Sequence, residues 1–580
     1  MITITNARVP GSGRPIDIEV QGGVVTRVSM PVTSEAAVSA DVADATARIW
    51  PADLAPTTDF NHMLAGVGGG TPAITGASRS SAGANRDDEA NTVIDAAGRW
   101  IIPGLWDHHT HFTQWASTFG RLDLIDARSA GEAMDMLRRY IDERRAAPGG
   151  LDPDTFVVGM RFRHSLWSRY EQPTLAAIDE ATGDQPVALS SMDMHCGWVN
   201  SAAARRLGVS VEKSGLVGEL DWFDAYCKLD NAPGAADETL RMIRLAEADA
   251  ARKGVVGIRD YEMTDDNLGI WMKRFVTCAP QPDDFETNPA WHGIDWEESF
   301  AHGIRGLRVD AGVYPEQLQT MINSHWHTGM KLPGSDGLGR VGAMKMIADG
   351  SLNTRSAYCS APYTDIFPDS YGTLSYTPDQ IEAYFHLATR HGFDIACHAI
   401  GDEANTIVLN AAEATRAHGS IEHAQLLKPK DIARFAKLGI AASIQPQHAM
   451  DDRDVIARFW AEPAGIPYAF RSLKESGATL LMGSDAPVAP LDPWMAISAA
   501  VFGSFTSDRS PFQPEQRLDV RTALAASTAV GRDTLQAGDQ ADLVLLDRDP
   551  YAADSPEEMR AMGDHVAATM MNGRWTYNVL

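Results

Sequence analysis

The sequence predicts an α/β protein: a (β/α)8 barrel of the TIM type, a small composite β-sandwich built from both termini, and a large insertion after the first barrel strand. Three observations predict it. Eight short apolar runs end in polar residues, helical patterns separate most of them, and imidazole, amine and carboxylate side chains recur at their ends. A barrel of this kind carries its chemistry at the C-terminal ends of its strands.

The 580 residues exceed what one core normally covers, so one large catalytic domain and a smaller one are expected. The apolar fraction of 44% is ordinary for a globular chain. A net charge of −27, from 77 acidic and 50 basic residues, argues against nucleic acid and anionic membrane as partners. Five dispersed cysteines (Cys196, Cys227, Cys278, Cys359, Cys397) suit reduced thiols and a cytoplasmic location better than a disulfide frame. The N-terminus lacks the pattern of a signal peptide, and no apolar run reaches membrane-spanning length.

Taken in order, residues 1–98 supply the first part of the sandwich. Ile2 to Val9, Ile16 to Val20 and Val24 to Val28 alternate as strands, with Gly22-Gly23 as a turn. Residues from 32 to about 92 are small, polar and aperiodic, which predicts a flexible insertion. Val93 to Asp95 resumes strand.

The barrel is expected over residues 99–519. Its first strand is the run Ile101 to Trp106 leading into Asp107-His108-His109-Thr110-His111. Val255 to Asp260 is the second, Leu307 to Asp310 the third, and Ala343 to Ile347 the fourth. Phe393 to His398 is the fifth, Ser420 to His423 the sixth, Ile440 to Ile444 the seventh and Thr479 to Asp485 the eighth. Pro378 to His391 and Pro429 to Lys437 read as intervening helices. Residues of about 112–250 are left as the insertion, with strands at Phe156 to Gly159 and Pro186 to Leu189 and helices at Ser129 to Ala146 and Asp237 to Lys253. An insertion on that face is a candidate cover for the site. Residues 520–580 close the sandwich, with strands in Ala541 to Asp547 and Ala567 to Trp575 and a turn at Asn572-Gly573.

Successive strand side chains alternate faces, so His109 and His111 should point the same way and make half a zinc site. The spacing alone is weak. His325-Trp326-His327 repeats it at the end of a helical stretch, where metal binding is not expected. The other strand ends carry Lys345, His398, His423 and Asp485. Each has a bland reading: a lysine snorkels to solvent, a histidine satisfies a structural bond, an aspartate after Gly-Ser caps a helix. Their shared position at one end of successive strands favours a metal centre.

The chain resembles the metal-dependent amidohydrolase superfamily, most closely the branch that includes N-substituted formamide deformylase. The resemblance runs through Pro103 to His111, Lys345 to Leu352, His398 to Asp402, Ile421 to Gln425, Gln445 to Ala449 and Gly483 to Val488. It implies that His109, His111 and Asp485 hold one zinc and that His398 and His423 hold a second. Carboxylated Lys345 would bridge the two. It also implies catalytic roles: Asp485 as proton shuttle, with His448 hydrogen-bonding the substrate carbonyl or a nearby polar group. Asp402 and Asn405 would orient ligands. The insertion carries a second family-like stretch, Asp193 to Ser201. Gly159 to His164 departs from the family, where relatives tend to have Trp-Asp after a glycine. Arg161, Phe162, Arg163, His164, His195 and Trp198 are the candidate substrate residues, and either arginine, if it faces the pocket, would take a carboxylate on the substrate.

The function expected is zinc-dependent hydrolysis of a C–N bond in a small-molecule amide, formamide, cyclic amide or relative. Two other readings stand beside it: non-hydrolytic chemistry on the same site, such as decarboxylation or isomerisation, and an inactive metal-binding regulator. The intact ligand set argues against the last. A homodimer is the one protein partner left open.

Overall fold

The computed structural model describes residues 1–30, 92–146, 150–164, 167–191, 196–230, 235–264, 266–276, 306–352, 354–364, 369–460 and 465–580. The stretch expected to be a flexible insertion lies almost wholly outside the described residues. Eight parallel strands form the central sheet: β1 (Leu105–Thr110), β2 (Val255–Asp260), β3 (Arg308–Val313), β4 (Gly339–Ile347), β5 (Ile395–Ala399), β6 (Gly419–His423), β7 (Ile440–Ile444) and β8 (Leu480–Met482). They pair in sequence order from β1 to β8. Just beyond β8, Thr110 bridges Ala486, His111 N–H donates to the Ala486 carbonyl at 2.8 Å, and Asp485 N–H donates to the His109 carbonyl at 2.7 Å. These contacts draw the last strand onto the first and nearly close a barrel.

Apolar residues of every strand, among them Leu105, Val255, Val309, Met344, Ile395, Ile421, Ile444 and Leu480, belong to one continuous core with the surrounding helices. The helices form for local reasons. Pro378–Arg390 starts with Thr377 and Gln380 in a reciprocal capping box and with Pro378 in the first turn, where a missing N–H costs nothing. Pro429–Leu438 also starts on proline, buries Ile432 and Phe435 on one stripe, and ends at Gly439 in the left-handed conformation.

The first apolar run does not continue into β1 as one strand. It splits at Gly104. Trp100–Pro103 pairs antiparallel with Leu543–Leu546 in the terminal sheet, and only Leu105–Thr110 enters the barrel. The physical reason is close approach. A Cβ on Gly104 would lie 2.5 Å from Val256 Cγ2 and 3.2 Å from the Asp542 carbonyl carbon, so only glycine lets the chain pass between the two sheets. The terminal domain is one eight-stranded sheet drawn from both termini, with Ile2–Arg8 next to Trp100–Pro103 and also parallel to Thr92–Asp95. Asn572 and Gly573 both take positive φ (53° and 78°) in the tight turn that joins Val566–Met571 to Arg574–Asn578.

The insertion is smaller than expected. Ala235–Arg252, read from sequence as part of it, packs on β2 and on the terminal sheet as the barrel's own crossover helix. Before it lies a five-stranded sheet (Leu122–Asp123, Val157–Phe162, Val187–Ser191, Cys196–Val199, Leu216–Gly218) with two apolar clusters of its own. At the other end, Val520–Ala526 packs on β8 and on Pro493–Phe502, so the barrel runs slightly past 519. Among the described residues no helix is long and apolar enough to cross a membrane.

Candidate metal centre and active site

His109, on β1, and His111, which caps the helix Phe112–Ser117 one residue past the strand, both turn an Nε2 toward Asp485. Each Nε2 lies 3.3 Å from Asp485 Oδ1. His109 is fixed from behind: its Nδ1 lies 2.6 Å from Glu422 Oε2, with both side chains buried. A proton on Nδ1, donated to the carboxylate, leaves the Nε2 lone pair facing Asp485. Burial opposes ionisation of Glu422, yet His109, Lys345 and the Ser420 hydroxyl prevail and hold its pKa down to about 2.

Lys345, on β4, is fully buried with its Nζ 3.3 Å from His109 Nε2 and 5.0 Å from the centre of the Tyr261 ring. Burial lowers its pKa below the ordinary lysine range, although Glu422 and Asp485 pull the other way. Burial likewise disfavours a charged Asp485, but His109, His111 and His423 overcome it and keep the carboxyl well below the usual range. Burial is the first cause at His423 and at His398 too; it drives His423 far down and His398 to about 3, so both rings are neutral. Neutral imidazole is the form that ligates metal.

The expected second pair lies beside this group. His398 and His423 have ring centres 4.4 Å apart, and a proton on His398 Nε2, donated to the Gly350 carbonyl at 3.3 Å with Asp349 at 3.5 Å, leaves Nδ1 as the free ligand atom. The ligand atoms of His423 also gather with those of His448 and Asp485, all within 4.8 Å of one another. His448 lies in the first turn of Pro446–Phe459, directly after β7, with its ring stacked on His423 at 5.7 Å and its Nε2 3.7 Å from Asp485 Oδ2. Asp485 is thus shared by the two groups, with Oδ1 near His109 and His111 and Oδ2 near His448. His111 Nδ1, His423 Nδ1 and His448 Nε2 are buried without a hydrogen-bond partner. Nitrogen and carboxylate donors in two groups of three, some with unused lone pairs, fit a divalent metal centre of open coordination.

The strand ends hold strained backbone. His423 (φ 71°), Ala424 (φ 44°) and Asp485 (φ 59°) occupy the left-handed region that non-glycine residues seldom take. This breaks the alternation that should place Glu422 and His423 on opposite faces, which is why both reach the site and why sequence periodicity missed Glu422. Asp107 was missed as well. Its Oδ1 accepts from the N–H groups of His109 (3.1 Å) and Ser484 (2.9 Å), tying the ends of β1 and β8 together.

Asp402 and Asn405 touch loops instead of ligands. Asp402 accepts from Ser360 N–H at 3.0 Å and pairs with Lys428 at 3.5 Å; the Asn405 amide donates to the carbonyls of Ala399 and Gly401, shaping the turn after His398. Of the substrate residues expected in the insertion, those described make contacts within it. Phe162 and Trp198 are fully buried in the insertion's own core, which leaves them no surface for a substrate. Arg161 is held two-pronged by Asp123, Arg163 donates to the Ile125 carbonyl, and the His164 ring leans on Phe162. His195 lies outside the described residues. His325 and His327 sit exposed past the helix Pro315–Asn323 and join no ligand group among the described residues.

The model of a family described as an amidohydrolase family matches residues 92–577. The protein LONG AFTER FAR-RED 3 of Arabidopsis thaliana is 26% identical over 525 residues, covering 83% of each chain. N-substituted formamide deformylase of Arthrobacter pascens is 25% identical over 535 residues, covering 83% of this chain and 90% of its own. The crystal structure of a metal-dependent hydrolase from Pyrococcus furiosus superposes with a TM-score of 0.68 at 21% identity, over 95% of this chain and 99% of that one.

Proposed function

The chain belongs to the amidohydrolase family, and from that premise we propose that it is a zinc-dependent hydrolase of a C–N bond in a small, neutral amide. The observation that carries the reading is the placement of Asp485 Oδ1, 3.3 Å from the Nε2 atoms of both His109 and His111. That is a ready three-ligand site, and the buried Glu422 behind His109 aims one of its ligands. His423, with His398 beside it, marks the second position.

Lys345, if carboxylated, would supply a further ligand to the divalent metals. Its reaction with carbon dioxide needs a neutral amine, and a fully buried ammonium beside His109 is poorly solvated. Carboxylation also replaces a misplaced positive charge with a negative ligand. A divalent pair held by these groups would supply a water nucleophile near neutral pH and polarise the scissile carbonyl. The rest falls to this chain's side chains. Asp485 accepts the water's proton as the C–O bond forms and returns it to the nitrogen as the C–N bond breaks, releasing an amine and a carboxylate. Glu422 keeps His109 in one tautomer throughout.

A neutral, partly apolar substrate is favoured by the rim. Met263, on the loop after β2, and Val488, on the loop after β8, are exposed on either side of β1. Asp123 already engages Arg161, one of the two expected clamps, which favours a substrate without an anionic group. The test is a screen of zinc-loaded protein against neutral and acidic amides with metal analysis alongside. About two metals per chain, turnover abolished by chelation and an amine appearing with a new carboxylate are expected. An active metal-free protein, or turnover without that pair of products, would overturn the reading.

A further inference from the structure

We propose that the base of the barrel holds a second small-molecule site, in which Asp310 and Arg340 bind the ammonium and the carboxylate of an α-amino acid with a short apolar side chain. The inference stands apart from the metal reading, since this site lies where the strands begin and uses none of the metal-ligand residues. A cavity of about 110 Å³ lies there, between the barrel and the loop that leads into Leu543–Leu546. Trp106, Leu338 and Leu535, all otherwise buried, give it apolar walls. A protein cavity of about 150 Å³ holds benzene, so this one has room for a branched group of a few carbons.

The charges on its wall select the ligand. Arg308 is already committed to Asp542 by a two-pronged pair at 2.6 Å and 3.1 Å, and Asp539 to Arg532. Asp310 and Arg340 remain: among the described residues, the side chain of neither makes a hydrogen bond or a close ion pair. They are register partners on β3 and β4, so their side chains leave the sheet on the same face, one strand spacing apart. Burial pushes the Asp310 carboxyl up against the pull of Arg259, Arg340 and Arg308, and no hydrogen bond helps to hold its charge. A carboxylate accepts from an ammonium, and a guanidinium grips a carboxylate with its planar fork. A ligand that carries both groups on one carbon satisfies both residues at once, and its zero net charge leaves the balance of the cavity unchanged. Its side chain then falls to the apolar walls. Apolar lining with a few placed polar groups is the usual build of a small-ligand pocket.

The test titrates L-valine into full-length protein in a calorimeter, before and after chelation of metal. One valine per chain is expected, with the same affinity in both titrations. Isobutylamine lacks the carboxylate of valine and isovalerate lacks its ammonium, so each should bind about tenfold more weakly or worse. Arg340→Met should lose the preference for valine over isobutylamine, and Asp310→Asn the preference for valine over isovalerate. A merely structural pair would not yield that matched pattern. Arg340 is exposed, so Arg340→Met keeps the test decisive if Asp310→Asn fails to fold; circular dichroism checks both. No valine bound by folded wild type would make Asp310 and Arg340 a structural link only and overturn the proposal. Isovalerate binding as tightly as valine would replace it with a simple anion site. Valine binding that survives Arg340→Met unchanged, or that chelation abolishes, would place the ligand elsewhere and also overturn it.

Discussion

Asp485 joins both histidine pairs, so its loss should be felt in the rate more than in binding. Asp485→Asn is expected to cut kcat by ~10²–10⁴-fold, the usual worth of a positioned proton carrier, with KM within a few-fold of wild type. Metal content must be measured on the same sample. Normal turnover in a less stable protein would mark Asp485 as structural. Glu422 acts one step behind. Its carboxylate fixes the His109 tautomer through a 2.6 Å contact, and replacing such a partner typically weakens metal binding ~10–100-fold. Glu422→Gln should show that loss in a competitive chelator titration while the protein stays folded; unchanged affinity would make the pair a structural bond only. The sequence placed His109, His111, Lys345, His398, His423 and Asp485 at successive strand ends because short apolar runs announce strands. It hid Glu422 because positive φ at His423 undoes the alternation on which face assignment rests. Arg161, Phe162 and Trp198 read as substrate residues because a composition of rings and cations looks alike in a pocket and in a small core. Only the insertion's five-stranded sheet, with its own apolar cluster, decides between them.

The meeting of strand ends β8 and β1 holds the first ligand group together. Gly483 makes that meeting possible: a Cβ there would lie 2.6 Å from His109 N and 2.7 Å from His109 Cβ. Gly483→Ala must therefore push the two strand ends apart. Overpacking of this kind costs ~1–3 kcal/mol. The expected outcome is a lower melting temperature together with weaker retention of the metal that depends on His109 and His111. A protein with wild-type melting temperature and metal content would mean that the backbone yields freely there. The neighbouring break at Gly104 was invisible in the sequence for a related reason. Ile101 to Trp106 is one apolar run, and burial on two successive sheets looks the same as burial on one. What separates them is the Val256 side chain 2.5 Å from the absent Cβ, a contact that no local pattern encodes.

Chemistry and cohesion sit at opposite ends of the barrel. The ligand groups lie where the strands finish, whereas the terminal sheet grips where they begin. Arg308, the first residue of β3, reaches out of the barrel to Asp542 with a two-pronged pair at 2.6 Å and 3.1 Å and also donates to Gln540. Both partners are nearly buried, at 10% and 12% exposure. The pairing of the two termini into one sheet was legible from alternation and from the Asn572-Gly573 turn, but this cross-link was not, since 232 residues separate Arg308 from Gln540. Removing one member of a buried pair strands the other charge and costs ~3–5 kcal/mol. Arg308→Met keeps the length and apolar stem of the side chain, so the loss is electrostatic. It should lower the melting temperature clearly, while metal content and kcat of the protein still folded at the assay temperature stay at wild-type values. A fall in either under those conditions would show that the grip at the base of the barrel sets the geometry of the ligands at its mouth, and the separation of the two ends would have to be given up.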